Sequence, residues 1–129
     1  MIRCKRVYEP IDAADGERVL VDRLWPRGCK KESLGLCAWL KDVAPSDSLR
    51  KGFCHDPALF DEFRLLYRGE LAAHPEHWQS LLAMAERGTL TLLFAAREER
   101  FNNARVLAEF LEEELERRGP SSSPVCYAD

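Results

Sequence analysis

The chain has 129 residues, a formal net charge of −3, 46% apolar residues and 32% charged residues, the make-up of one ordinary globular domain. A globular chain of this length hides roughly two-thirds of its unfolded surface, so a real core is within reach without metal or disulfides, which excludes disordered and disulfide-scaffold readings. No stretch approaches the roughly 18 consecutive apolar residues of a membrane span, and Met1-Ile2-Arg3-Cys4-Lys5-Arg6 leads into no apolar signal region; a cytoplasmic protein without membrane contact is expected.

In chain order, Ile2 to Tyr8 reads as a first strand, at a sheet edge because polar residues fall on both of its faces. Val19 to Trp25 is a second strand, and the Glu9–Arg18 connection is about the shortest a parallel crossover tolerates, so the relative direction of the two stays open. Leu36, Cys37, Leu40, Val43 and Ala44 then recur at helical spacing before Pro45, which predicts a helix. Ala44 to Pro57 reads as a connection rich in turns. Asp56-Pro57 supplies a cap and a proline at the first helical position, and Leu59, Phe60, Phe63, Leu66, Tyr67 and Leu71 form the stripe that follows. Beyond Pro75, Trp78, Leu81, Leu82 and Ala85 repeat the pattern as far as Gly88. Thr89 to Ala95 is the most apolar of the three strand-like runs and therefore the central strand.

The last helix starts near Asn102 or Asn103, buries Ala104, Leu107, Phe110 and Leu111, and leaves Glu109, Glu112, Glu113 and Glu116 on a wet face. Gly119 ends it and opens a tail over 119–129 that is expected to be mobile. The sum is a single α/β domain over 1–118, a small, mostly parallel sheet of three or four strands flanked by helices. Such sheets receive ligands at the carboxyl ends of their strands.

The residues just past those ends carry the chemistry. Asp22-Arg23-Leu24-Trp25-Pro26-Arg27-Gly28 combines two guanidiniums with a glycine that lets a backbone come close, a combination suited to phosphate or carboxylate. Asp22 either orients an arginine, acts as a base, or forms a structural ion pair beneath the turn. Arg97 and Asn102 flank the start of the last helix, where unpaired N–H groups favour anions, although Asn102 or Asn103 also suits a simple cap. Arg50 and His55 come from the connecting segment, His55 being the natural titrating group near neutral pH or else a structural capping residue.

The cysteines Cys4, Cys29, Cys37, Cys54 and Cys126 are five in number and contain no Cys-x-x-Cys, so free thiols are expected. His74 and His77 have a proline between them and no clear third ligand, so they read as a surface helix start and no metal site is expected.

These segments resemble the family called domain of unknown function 488, in its short YeaO-like branch. The resemblance covers about residues 2 to 115. It rests on Cys4-Lys5-Arg6-Val7-Tyr8, on Asp15-Gly16 followed by Arg18-Val19-Leu20-Val21-Asp22-Arg23-Leu24-Trp25-Pro26-Arg27-Gly28, on Ala44-Pro45-Ser46 with Leu49-Arg50-Lys51, on His55-Asp56-Pro57, and on Leu92-Leu93-Phe94-Ala95-Ala96-Arg97 with Asn102. It implies an α/β domain and a soluble bacterial-type protein, and no particular activity. The short branch typically carries Asn-His at the start of the last helix, and this chain carries Asn102-Asn103, a departure that removes an imidazole from that place.

The leading functional expectation is a small anionic, phosphate-bearing or nucleotide-like ligand held by Arg6, Arg23, Arg27, Gly28, Arg50, Arg97 and Asn102, with Asp22 or His55 as acid/base if a reaction occurs. A nucleic-acid-binding or regulatory protein is the alternative. It is disfavoured by the negative net charge and by the acidic last helix, where residues 98 to 118 hold seven Glu against four Arg. A protein-interaction domain anchored by Trp25, Trp39 and Trp78 is the third reading. No motif specifies a cofactor or an oligomeric state.

Overall fold

Residues 90–94 are apolar apart from Thr91, and strand β4 (Leu90–Phe94) is buried along its whole length. A run that must hide both faces belongs at the centre of a parallel sheet. In the computed structural model, which describes residues 1–53 and 56–118, it lies there. Strand β1 (Ile2–Arg6) pairs with one side of β4 in the register Ile2↔Leu90 to Arg6↔Phe94. Strand β2 (Glu17–Leu20) pairs with the other side, Glu17↔Leu90 to Leu20↔Leu93. A short β3 (Ala38–Trp39) adds to β2, so the order is β1-β4-β2-β3 with every pair parallel. The direction left open by the short Glu9–Arg18 connection is thus parallel, with β4 inserted between the first two strands.

The pleat of β4 sends alternate side chains to two cores. Leu90, Leu92 and Phe94 join Val19 and Val21 on the face covered by three helices: α3 (Phe60–Ala73), α4 (Gln79–Arg87) and α5 (Asn103–Arg118). Leu93 joins Val7, Leu20 and Leu34 on the opposite face, under the short α1 (Lys31–Leu34) and the indoles of Trp25 and Trp39. Each helix follows its predicted stripe: Phe63, Tyr67 and Leu71 are buried in α3, Leu81, Leu82 and Ala85 in α4. Leu59 and Leu66 depart from it and are exposed. The wet face of α5 is not free, because Glu109 pairs with Arg64 and Arg68 and Glu113 pairs with Arg68 across to α3.

The helix predicted over Leu36 to Ala44 is absent. Ala38 and Trp39 are drawn out as the edge strand on β2, and a single 3-10 turn, Lys41–Val43, follows. That turn puts Val43 in the core and so mimics the last step of a helical stripe. Conversely, the connection after Pro45 contains a helix, α2 (Asp47–Phe53), whose first turn is capped where the Leu49 N–H donates to Ser46 Oγ at 3.3 Å. Its polar composition, with Phe53 the one buried residue, hides the periodicity from view.

At the amino ends of the strands lies a buried carboxylate. Asp15 is 0% exposed and accepts from Lys5 Nζ at 3.0 and 3.1 Å, from Arg18, and from the Asp12 N–H at 3.1 Å; Arg3 stands 3.8 Å away. Its main-chain oxygen accepts from Thr91 Oγ1 at 2.7 Å, tying the cluster to β4. Gly16, at φ +63°, follows at once, and a Cβ there would lie 2.2 Å from the Thr89 carbonyl oxygen, so only glycine fits. Among the described residues no helix is long and apolar enough to cross a membrane.

Candidate functional site

At the carboxyl end of β2 the ladder continues for one more bond, from the Val21 N–H to the Leu93 carbonyl at 3.1 Å, before the chain turns away. Asp22 stands at this departure. One carboxylate oxygen accepts from the Ala95 N–H at 2.9 Å and the other from the Asn103 side-chain amide at 3.1 Å. Its main-chain oxygen accepts from Trp39 Nε1 at 2.8 Å. Asp22 therefore ties together the exits of β2, β3 and β4 and the first residue of α5.

In front of Asp22 opens a cleft of about 320 Å³, lined on its polar side by Tyr8, Asp22, Arg23, Arg27, Arg50 and Asn103 and on its apolar side by Leu24, Trp25, Pro26, Phe53 and Phe63. The Arg23 guanidinium donates to the carbonyls of Ala44, at 3.2 Å, and Pro45, at 3.4 Å, clamping the connection before α2. Arg50 reaches Asp47 Oδ1 at 3.2 Å, and Arg23 lies 3.8 Å from the same oxygen, so two guanidiniums share one exposed carboxylate. The Nε of Arg50 is buried without a hydrogen-bond partner among the described residues, an arrangement that is costly unless something accepts from it. Arg27 is exposed at the rim, where its carbonyl accepts from the Tyr8 hydroxyl at 3.0 Å.

Of the residues singled out from the sequence, the fold brings Asp22, Arg23, Arg27 and Arg50 around this one cleft. Arg6 stays behind the rim, its guanidinium donating to the Ala96 carbonyl at 3.0 Å and the Ala95 carbonyl at 3.4 Å and lying 5.0 Å from the ring centre of Tyr8. Gly28 sits next to the cleft rather than in its lining; its φ of +79° and the open space around it make it a turn residue, not a place of close approach. Arg97 is exposed on the β4–α5 loop and does not line the cleft.

Asn102 is fully buried, its amide donating to the Glu98 carbonyl at 2.7 Å and its side-chain oxygen accepting from the Arg105 N–H at 3.0 Å. Both ends are consumed in capping α5, which removes it from any ligand, and the facing residue is its neighbour Asn103. His55 lies outside the described residues, as do Cys54 and the tail over 119–129.

Tyr8, Asn103 and Asp47 are the site neighbours that sequence reasoning did not assign. Tyr8 is legible only once β1 is known to end at Arg6, and Asp47 only once α2 is known to exist. The three tryptophans are packed: Trp78 is buried against Phe110, and Trp25 and Trp39 meet edge to face at 5.2 Å. A larger groove of about 670 Å³ runs between α2 and α3, but Ser48, Glu62, Glu70 and His74 are its polar lining, and among the described residues no Lys or Arg lines it. The carboxyl-end cleft is the chemically directed one.

The chain resembles the Escherichia coli protein named "Uncharacterized protein YeaO", with 46% identity over 110 residues that make up 85% of this chain and 96% of that one. It also resembles the Mycobacterium tuberculosis protein named "Uncharacterized protein Rv3073c", with 43% identity over 114 residues, 85% of this chain and 92% of that one. No solved structure matches it. The family model that matches residues 1–128 is DUF488-N3i, described as the inactive DUF488-N3 subclade, and the chain belongs to that family.

Proposed function

We propose that this protein is a non-catalytic binding domain for a small organic anion, held in the carboxyl-end cleft with its phosphate or carboxylate against Arg27 and Arg50 and its body against Trp25, Phe53 and Phe63. The observation that carries this reading is the supply of positive charge. Arg23, Arg27 and Arg50 border the cleft, two of them share the single exposed carboxylate of Asp47 beside it, and the Nε of Arg50 finds no acceptor among the described residues. A volume of about 320 Å³ is at the lower end of small-molecule sites, which suits a metabolite-sized ligand rather than a polymer.

Three features argue against turnover. Asp22 spends both carboxylate oxygens on holding Ala95 and Asn103, the role of a positioning group rather than a free base. The described lining contains no Ser, Thr, Cys or His. Asn103, where the short branch typically carries His, meets Asp22 with an amide that cannot relay a proton, in keeping with the family's description as inactive. Free thiols at Cys4, Cys29 and Cys37 support a reducing, cytoplasmic setting.

The test is a thermal-shift panel of phosphate, sugar phosphates, nucleotides and dicarboxylates on the wild type, on Arg27→Ala and on Arg50→Ala. A ligand at 100 times its dissociation constant stabilises by about 2.7 kcal/mol. Among the described residues the exposed Arg27 side chain makes no hydrogen bond or ion pair, so its loss is expected to remove binding and leave the ligand-free melting point in place. A panel without any hit, or a hit that survives both substitutions unchanged, refutes the reading.

A further inference from the structure

We propose that His74, Glu76 and His77 form a binding site for a divalent transition-metal ion of the Zn²⁺, Ni²⁺ and Cu²⁺ class. The site is separate from the carboxyl-end cleft, on the short connection between α3 and α4.

The argument begins with the turn. Pro75–His77 is a 3-10 helix with His74 as its N-cap residue, and the His77 N–H donates to the His74 carbonyl at 3.0 Å. A 3-10 turn has three residues per revolution, so positions i and i+3 lie one above the other. That is why the two imidazoles stack, with ring centroids 4.8 Å apart and planes inclined by only 12°. The same spacing in an ordinary loop would leave them unrelated.

Glu76 then supplies what the sequence pattern lacked. Its Oε2 lies 3.0 Å from His74 Nδ1 and 3.7 Å from His77 Nε2, and one donor atom from each of the three residues falls within 4.8 Å of the others. Donors around a four-coordinate ion at about 2.1 Å stand about 3.4 Å apart, so the two short separations already bracket the needed distance. Two imidazoles and a carboxylate are a recognised donor set for zinc-like ions, with the remaining positions left to water.

The platform beneath is rigid for a surface site. Pro75 fixes one backbone angle of the turn. The His74 N–H donates to the Leu71 carbonyl at 3.1 Å, and the indole of the buried Trp78 donates to the same carbonyl at 2.7 Å, fastening both ends of the turn to the last residues of α3. Metal binding therefore costs the ordering of three side chains and little backbone ordering. His74 and His77 also border a small cavity with Asp42 and Glu70, which leaves room for coordinated water.

The experiment is a calorimetric titration of the full-length, reduced protein with Ni²⁺ alone, on the wild type and on His74→Ala, Glu76→Gln and His77→Ala, with metal-free melting curves to confirm that each variant is folded. Even outer-shell partners of a metal are worth about 10–100-fold in affinity, so loss of a direct ligand is expected to weaken Ni²⁺ at least about tenfold in every variant. The Cu²⁺-loaded wild type is expected to show two imidazole nitrogens by electron paramagnetic resonance. A wild type that takes up no Ni²⁺ at millimolar concentration, or a folded variant that binds as tightly as wild type, overturns the proposal.

Discussion

Replacing Asp15 by Asn is the most severe single test of the fold, because it removes a charge while keeping the shape. The carboxylate is fully buried, and its two main partners, Lys5 and Arg18, are themselves 12% and 4% exposed in their side chains. Asparagine leaves those cations buried without a counter-charge, and losing one partner of such a cluster costs about 3–5 kcal/mol. For a domain of this size a loss of that magnitude lowers the melting temperature by roughly 10–20 °C. Arg3, half-exposed and 3.8 Å away, is the internal control: Arg3→Ala is expected to cost less than about 1 kcal/mol.

The pH dependence has a definite sign. Burial alone raises the Asp15 carboxyl, but the hydrogen bonds from Lys5, the Asp12 N–H and Arg18 outweigh it and hold the group below its ordinary value of 3.8. A group whose folded value is depressed contributes its stability in full above the unfolded value and loses it as pH falls through the folded one. Urea denaturation of wild type and Asp15→Asn across a pH series is thus expected to show a constant gap at neutral pH that narrows only in acid below about pH 4. A neutral-pH gap under about 1 kcal/mol, or one that ignores acid, refutes the assignment of this carboxylate as a stabilising hub.

Two further substitutions probe other parts of the fold. Gly16→Ala forces a Cβ into the Thr89 carbonyl at a positive φ and is expected to cost at least about 2–3 kcal/mol, read by the same denaturation assay; a loss below about 1 kcal/mol shows that β2 can enter the sheet by another path. Tyr67→Phe leaves the packing of α3 intact but strands the Val43 carbonyl, to which the buried hydroxyl donates at 2.6 Å; a loss of about 1–3 kcal/mol is expected, and its absence would mean that another donor reaches that oxygen.

How much of this was legible in the sequence depended on whether burial or pairing decided the local structure. Leu90 to Phe94 announced a central strand because a run with no polar face has nowhere else to go. The α3 stripe through Phe63, Tyr67 and Leu71 was readable for the same reason, since its one buried face repeats with the helix. Ala38 and Trp39 were not, because what makes them a strand is the edge of β2 some 19 residues earlier in the chain, and periodicity carries no information about a distant edge.

In the candidate site, Asp22, Arg23 and Arg27 were readable from one dense segment. Arg50 was placed by its type and position, though not by the helix that carries it. The choice between Asn102 and Asn103 rests on which residue caps α5 and which follows it. A shift of one position rotates the side chain by about 100° on the helix, and the two neighbouring amides look alike in sequence.

The order β1-β4-β2-β3 also has a consequence for how the molecule comes into being. The first strand to be synthesised has no neighbour until the last one exists, since Ile2 pairs with Leu90 and Glu17 with the same residue. A nascent chain that has yet to reach Leu90 holds β1 without a partner and at most the short β2–β3 pair, so the two halves of the sheet stay separate. Its α3 and α4 can form early, but their apolar faces have nothing to close against. Closure of the sheet therefore waits for β4, and until Leu90 to Phe94 have been made, the growing chain holds Val19, Leu20 and Val21 without their central partner.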